Sequence, residues 1–205
     1  MKSFFQLPSY IFHPLWMPTI GIASAYLVVP VSFEQINIIS DVILVFFFTI
    51  LIPLAFLLVL KKIKVVKSLH LKDVKERKLP ILFFTCIAAF LINYVFPPET
   101  NQLFFYFFSG IFFSGILASV LTIANFKVSL HMIGLSGLMF FLYMILKSFQ
   151  LNSLFITAIS IVLLSWLASS RLHMKAHNFK ELAIGIIVGA SPQVYFFYDV
   201  TSWLD

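Results

Sequence analysis

Charge is scarce in this sequence. Of its 205 residues only 11% are Asp, Glu, Lys or Arg, where a soluble domain carries roughly a quarter. So little polar surface excludes an ordinary water-soluble domain. Cysteine is almost absent: a lone Cys86 excludes an intramolecular disulfide framework and makes a cysteine-built metal cluster implausible. Internal repeats, low-complexity tracts and linker-like stretches are missing too, so residues 1–205 read as one domain. A basic, aromatic-interleaved soluble face is also missing, which leaves nucleic acid without support as a partner.

What is present is apolar. Hydrophobic residues make up 61% of the chain, 26 of them Phe, and the mean hydropathy is +1.02. Lipid is the solvent this surface needs, and aromatic rings suit lipid-facing helices. Charges and turn residues cut the sequence into about seven apolar segments near the ~20 residues that a bilayer core requires. They are residues 10–32, 42–60, 79–96, 103–124, 128–146, 153–169 and 182–198. None shows period-two alternation, and backbone groups in lipid must be satisfied within a segment, so helices are expected and not a barrel. The fold class is therefore all-α, a polytopic membrane helical bundle. Lys2 and the small residues Ala23-Ser24-Ala25 imitate a signal peptide. His13, Pro14 and Pro18 interrupt that run, which reads instead as a retained, broken membrane helix.

The few charges are unevenly placed. Seven crossings put all 14 Lys and Arg except Lys147 on one face. Glu34, Asp41, Glu99, Asp199 and Asp205 fall on or near the other. The positive-inside rule makes the basic face cytoplasmic. The long basic loop of residues 61–78 reads chiefly as a lipid-headgroup patch and topology determinant.

One stretch on that face carries chemistry: Ser170-Arg171-Leu172-His173-Met174-Lys175-Ala176-His177-Asn178-Phe179-Lys180-Glu181. If the last helix has begun by then, His177 and Glu181 share a helical face at a spacing of four. A carboxylate on one imidazole nitrogen leaves the other as a lone-pair nucleophile. Arg171 offers a bidentate fork for phosphate, and a helix N-terminus adds free N–H groups.

Ser-Arg, five residues, His, three residues and an acid resembles the third signature of the type 2 phosphatidate phosphatase superfamily, which comprises membrane lipid phosphatases and soluble acid phosphatases. The second signature of that family, Pro-Ser-Gly-His, is similar to Val128-Ser129-Leu130-His131. The first, Lys, six residues, Arg-Pro, is similar to Lys72 through Pro80, with Leu79 at the arginine position. The opening His13-Pro14-Leu15-Trp16-Met17-Pro18-Thr19 resembles small bacterial members more loosely. The resemblance covers residues 72–181 and implies a six-helix lipid-phosphatase-like core. It implies His177 as the nucleophile that becomes phosphohistidine, Glu181 as its orienting partner, and His131 as the acid and base. Lys72, Ser129 and Arg171 would hold the phosphoryl oxygens, with no metal and no other cofactor. Arg77 and His13 are further candidates to line the site.

The departures leave two readings open. Leu79 removes a guanidinium clamp, a kind of loss worth about 10²–10³ in rate, and Leu130 replaces a glycine beside the phosphate. The first reading is a hydrolase in a bacterial inner membrane, acting on a lipid phosphate or pyrophosphate such as phosphatidate, phosphatidylglycerol phosphate, undecaprenyl pyrophosphate or a lipid A phosphate. The second is a catalytically silent member that binds lipid or serves a membrane complex, either with a protein partner or as a homo-oligomer. A transporter is a weaker third, for want of mid-membrane polar residues other than Asn93. Taken alone, Ser129 is a helix cap, and His13, His70 and His173 belong at the interface. Asn93 is expected to bond a neighbouring helix, and Gly185 with Gly189, like Gly110 with Ser114, to form packing faces.

Overall fold

The computed structural model describes residues 2–29, 38–68, 71 and 73–198. Proline makes the first break, as the sequence suggests. Helix α1 (Lys2–Ile11) stops short of His13, whose extended backbone is what a residue before proline prefers. Pro14–Trp16 forms one 3₁₀ turn, and Pro18 sits in the first turn of α2 (Met17–Val28), where no hydrogen-bond donor is needed. Helix α3 (Ile38–Lys62) carries a π turn at Phe47–Leu51. Pro53 lies just beyond it and cannot donate to the carbonyl one turn back, which accounts for the widened turn. Helix α4 (Val74–Val95) ends in a second π turn, Leu91–Val95, before Pro97 and Pro98.

The remaining helices are α5 (Gln102–Ile123), α6 (Leu130–Ser148), α7 (Leu154–His173) and α8 (Phe179–Tyr198). The described residues thus form eight helices and no strand. Five of them, α3 to α7, are long and apolar enough to cross a membrane. The first and last of the seven expected segments also form helices. Helix α2 has only 12 residues, about 18 Å of rise. Helix α8 has 20 residues, long enough for a hydrocarbon core. The chain is an integral membrane protein. Leu154, Phe155, Ile161 and Val162 on α7 are all exposed, a stripe that lipid tolerates and water does not.

Helices α6 and α8 form the closest pair, with α5 packed on α8 and α2 and α7 on α6. Half of the apolar stretch of α6 is buried against 11% of that of α7, so α6 is central and α7 peripheral. The core is aromatic. Phe104, Phe107, Phe108, Phe141 and Phe197 are fully buried, with Phe107 stacked on Phe141 at 4.0 Å between ring centroids. Phenylalanine here fills the interior as well as facing lipid.

Glycine sets how close α6 and α8 come. A Cβ on Gly189 would stand 2.2 Å from the carbonyl oxygen of Ile133 and 2.3 Å from Ser136 Oγ. Only glycine permits that approach. Gly185, one turn nearer the start of α8, faces Met132 and the carbonyl of Ser129. The small-residue face therefore brings the first turns of α6 and α8 together, and those turns carry the polar chemistry. Asn93 is the exception to the sequence reading. It is exposed on the outside of the bundle, and its amide donates to Ala89 O of its own helix, not to a neighbour.

Candidate functional site

Polar side chains collect at the end of the bundle where α4, α6 and α8 start and α7 finishes. The arrangement begins with a helix cap. Asn178 precedes α8, and its Oδ1 accepts from Glu181 N at 3.0 Å. Glu181 answers by accepting from Asn178 N and Nδ2 at 3.3 and 3.2 Å. This reciprocal pair is a capping box, with aspartate's amide relative in place of the usual hydroxyl. It aims the carboxylate back over the loop, where Glu181 Oε2 lies 2.6 Å from His177 Nδ1. His177 is consequently outside the helix. The cap produces the contact, not a shared helical face as the spacing suggested.

His177 is 8% exposed. Burial holds its pKa well below the ordinary histidine value, at about 4. The bond to Glu181 raises it, while the guanidinium groups of Arg77 and Arg171 lower it. At neutral pH the ring is therefore uncharged. Because Glu181 can only accept, Nδ1 carries the proton and Nε2 keeps its lone pair.

The other expected residues gather around this pair. His131, in the first turn of α6, has Nε2 3.0 Å from the carbonyl oxygen of Ser9, so Nε2–H donates. Its ring meets that of His13 edge-on at 5.4 Å, and it lies within electrostatic reach of Arg171 and His177. His13 Nδ1 accepts from Leu15 N at 3.4 Å. Arg171, near the end of α7, donates from Nη1 to Ser9 Oγ at 3.3 Å, and its buried Nε has no hydrogen-bond partner. Ser129 is fully buried and caps α6, its Oγ 3.5 Å from Met132 N. Its own N–H donates to Glu181 O at 3.4 Å, tying the starts of α6 and α8. Lys72 and His70 lie outside the described residues.

The two departures lie off the polar cluster. Leu79 is 48% exposed. Leu130 packs against the apolar cluster of Ile81, Ala118 and Val128, again clear of the polar groups. Two positions before Leu79, Arg77 projects from the inward face of α4. Arg77 is 7% exposed; Nε donates to Leu71 O at 2.8 Å and Nη1 to Val128 O at 3.0 Å. It stands within electrostatic reach of Glu181 and Arg171. Lys127 joins the same field. Burial first, and then Arg77, push its pKa below the ordinary lysine value; Glu181 opposes, Arg171 adds to the push, and Asp73 opposes.

Three fixed cations thus face two carboxylates, one of which is committed to His177. Such a site attracts anions. Among the described residues no group of three or more His, Cys, Asp or Glu lies close enough to hold a metal ion. Sequence reasoning overlooked two residues. Ser9 carries no motif and is found only through its contacts. Gln193 sits fully buried between helices, donating to Phe107 O at 3.1 Å with its Oε1 unpartnered; a polar amide in the apolar run of α8 was a visible signal. No family model, no curated protein and no solved structure matches this chain.

Proposed function

We propose that this protein is a membrane lipid phosphatase of the type 2 phosphatidate phosphatase kind, seated in a bacterial inner membrane and hydrolysing a lipid phosphate through phosphohistidine. The observation that supports the reading best is the neutral His177, held at 2.6 Å by Glu181 beside Arg77, Arg171 and His131. His177 Nε2 attacks phosphorus, and the bond from phosphorus to the lipid oxygen breaks. His131, entering the step as imidazolium, gives its Nε2 proton to that oxygen and is left neutral, with Nδ1 protonated. Water then attacks the phosphohistidine and hands a proton to His131, and the P–N bond breaks to restore the lone pair. Arg77 and Arg171 stabilise the charge that builds on the phosphoryl oxygens.

The test is phosphate release from a panel of lipid phosphates and pyrophosphates by purified protein and by His177→Ala. Loss of a general acid–base or nucleophilic group costs at least about 10²-fold, so His177→Ala is expected at background. Equal release by both proteins would end the hydrolase reading. A second reading, a catalytically silent lipid-binding member, draws on one observation: protein oxygens already accept from Arg77, Arg171 and His131. Turnover by the parent protein decides between them.

A further inference from the structure

Helix α1 is the odd element of the fold. Its 10 residues rise about 15 Å, half a hydrocarbon core, too short to cross one. It packs on α7 through Pro8 and Ser9, both buried, while Leu7, Tyr10 and Ile11 face outward. Just past its end, Phe12 meets the Trp166 ring of α7 edge-on at 6.2 Å.

Ser9 makes the contacts that matter to the site. Its carbonyl oxygen takes the proton of His131 Nε2 at 3.0 Å. Its hydroxyl oxygen accepts from Arg171 Nη1 at 3.3 Å and lies 2.8 Å from Ser170 Oγ. Two oxygens of one residue therefore stand on an imidazole N–H and a guanidinium, the pair of donors that a phosphoryl group needs from this end of the bundle. The neighbouring Nε of Arg171 is buried with nothing to bond, which is how a fork looks when one tooth is occupied and the other is not. The side chain of His177 is 1% exposed, so a phosphorus atom reaches it only if something moves.

We propose that α1 is a gate, with Ser9 as its latch: the oxygens of Ser9 stand in for phosphate oxygens on His131 and Arg171, and α1 must swing off α7 before a phosphorylated ligand can bind. This inference rests on the site being a phosphate site. Opening exchanges two protein oxygens for the ligand's own, so His131 and Arg171 keep their partners throughout, and Arg171 Nε gains one. It also frees the His131 proton that the leaving oxygen requires.

A disulfide across the latch tests this. Ser9→Cys and Ser170→Cys are placed together in a Cys86→Ser background, and binding of inorganic phosphate to the full-length protein is measured before and after reduction. The expected result is binding at least about ten-fold weaker in the oxidised form, the loss that follows when the open population falls below a tenth, with recovery on reduction. Equal binding in both forms overturns the gate while leaving the phosphate site standing. Failure of the parent protein to bind phosphate at all overturns both. Should the disulfide fail to form, maleimide labelling of the single Ser9→Cys variant gives the answer. Faster labelling in the presence of inorganic phosphate supports the gate, and an unchanged rate overturns it.

Discussion

His177 sits in a loop outside the spanning helices, and burial lowers its pKa to about 4 from an unfolded value of ~6.5. The sign of the consequence follows from proton counting. Between these two values the unfolded chain binds a proton that the folded chain refuses. Stability is therefore greatest above pH 6.5, declines as pH falls toward 4, and levels off below. The full decline from this one group is about 3 kcal/mol, since each pKa unit is worth ~1.4 kcal/mol. Unfolding midpoints in detergent between pH 7.5 and 4 are expected to show this slope in the parent protein and to lose most of it in His177→Ala. An unchanged slope in the variant would mean that another group carries it. The same value bears on turnover: the nucleophile is neutral across the physiological range, so its acid limb belongs near pH 4 and not near 6.5. Arg77 makes a related point about reading single positions. The inward face of α4 passes through Arg77, buried and bonded to Val128 O, while Leu79 is exposed.

At the scale of helices, the approach of α6 to α8 decides whether the site exists. Gly189→Ala places a methyl group 2.2 Å from a backbone oxygen of Ile133, and backbone cannot step aside without parting the helices. Overpacking of this sort costs about 1–3 kcal/mol. Gly110→Ala, whose methyl group would meet the amide of Gln193 at 2.3 Å, is expected to be the milder change, because a side chain can rotate. Thermal unfolding of the two variants should rank them in that order. Phosphate release should fall in Gly189→Ala even at temperatures where it remains folded, because Ser129 and His131 retreat from His177 and Glu181. The reverse ranking would show that the Gln193 amide, not the glycine face, holds α8 in place. Much of this element scale was legible in the sequence. The apolar runs, the breaks at Pro14 and Pro97, and the glycine spacing on α8 are local signals. The capping box at Asn178 and Glu181 is equally local, but the spacing of His177 and Glu181 points to a shared helical face only if the helix has begun by His177, and it begins at Phe179. The role of Ser9 was not legible: a serine in a short helix acquires meaning only from α6 and α7, more than a hundred residues away.

Across the whole molecule, one asymmetry organises the rest: basic residues crowd the end that holds His131, Arg171 and His177. The sequence displayed the crowding but not its cause, because a topology signal and a phosphate-attracting field are built from the same Lys and Arg. Geometry divides them. Arg77 and Arg171 point into the site, with Lys127 half-buried beside them. Lys61, Lys62, Lys64 and Lys175 are exposed, free to meet lipid headgroups, and Lys147 ends α6 at the far side, near the ring of Tyr143. If the exposed group sets topology, it faces the cytoplasm. Single cysteines at Lys64, Lys147 and Lys175 in a Cys86→Ser background are then expected to separate cleanly under an impermeant maleimide. In intact right-side-out vesicles only the cysteine at 147 should label; those at 64 and 175 should label together once the vesicles are opened. Labelling of 64 and 175 from outside would turn the site to the exterior and make its charge a device for capturing substrate. Labelling of 64 and 175 from opposite sides would break the bundle's alternation and, with it, the meeting of His131 and His177.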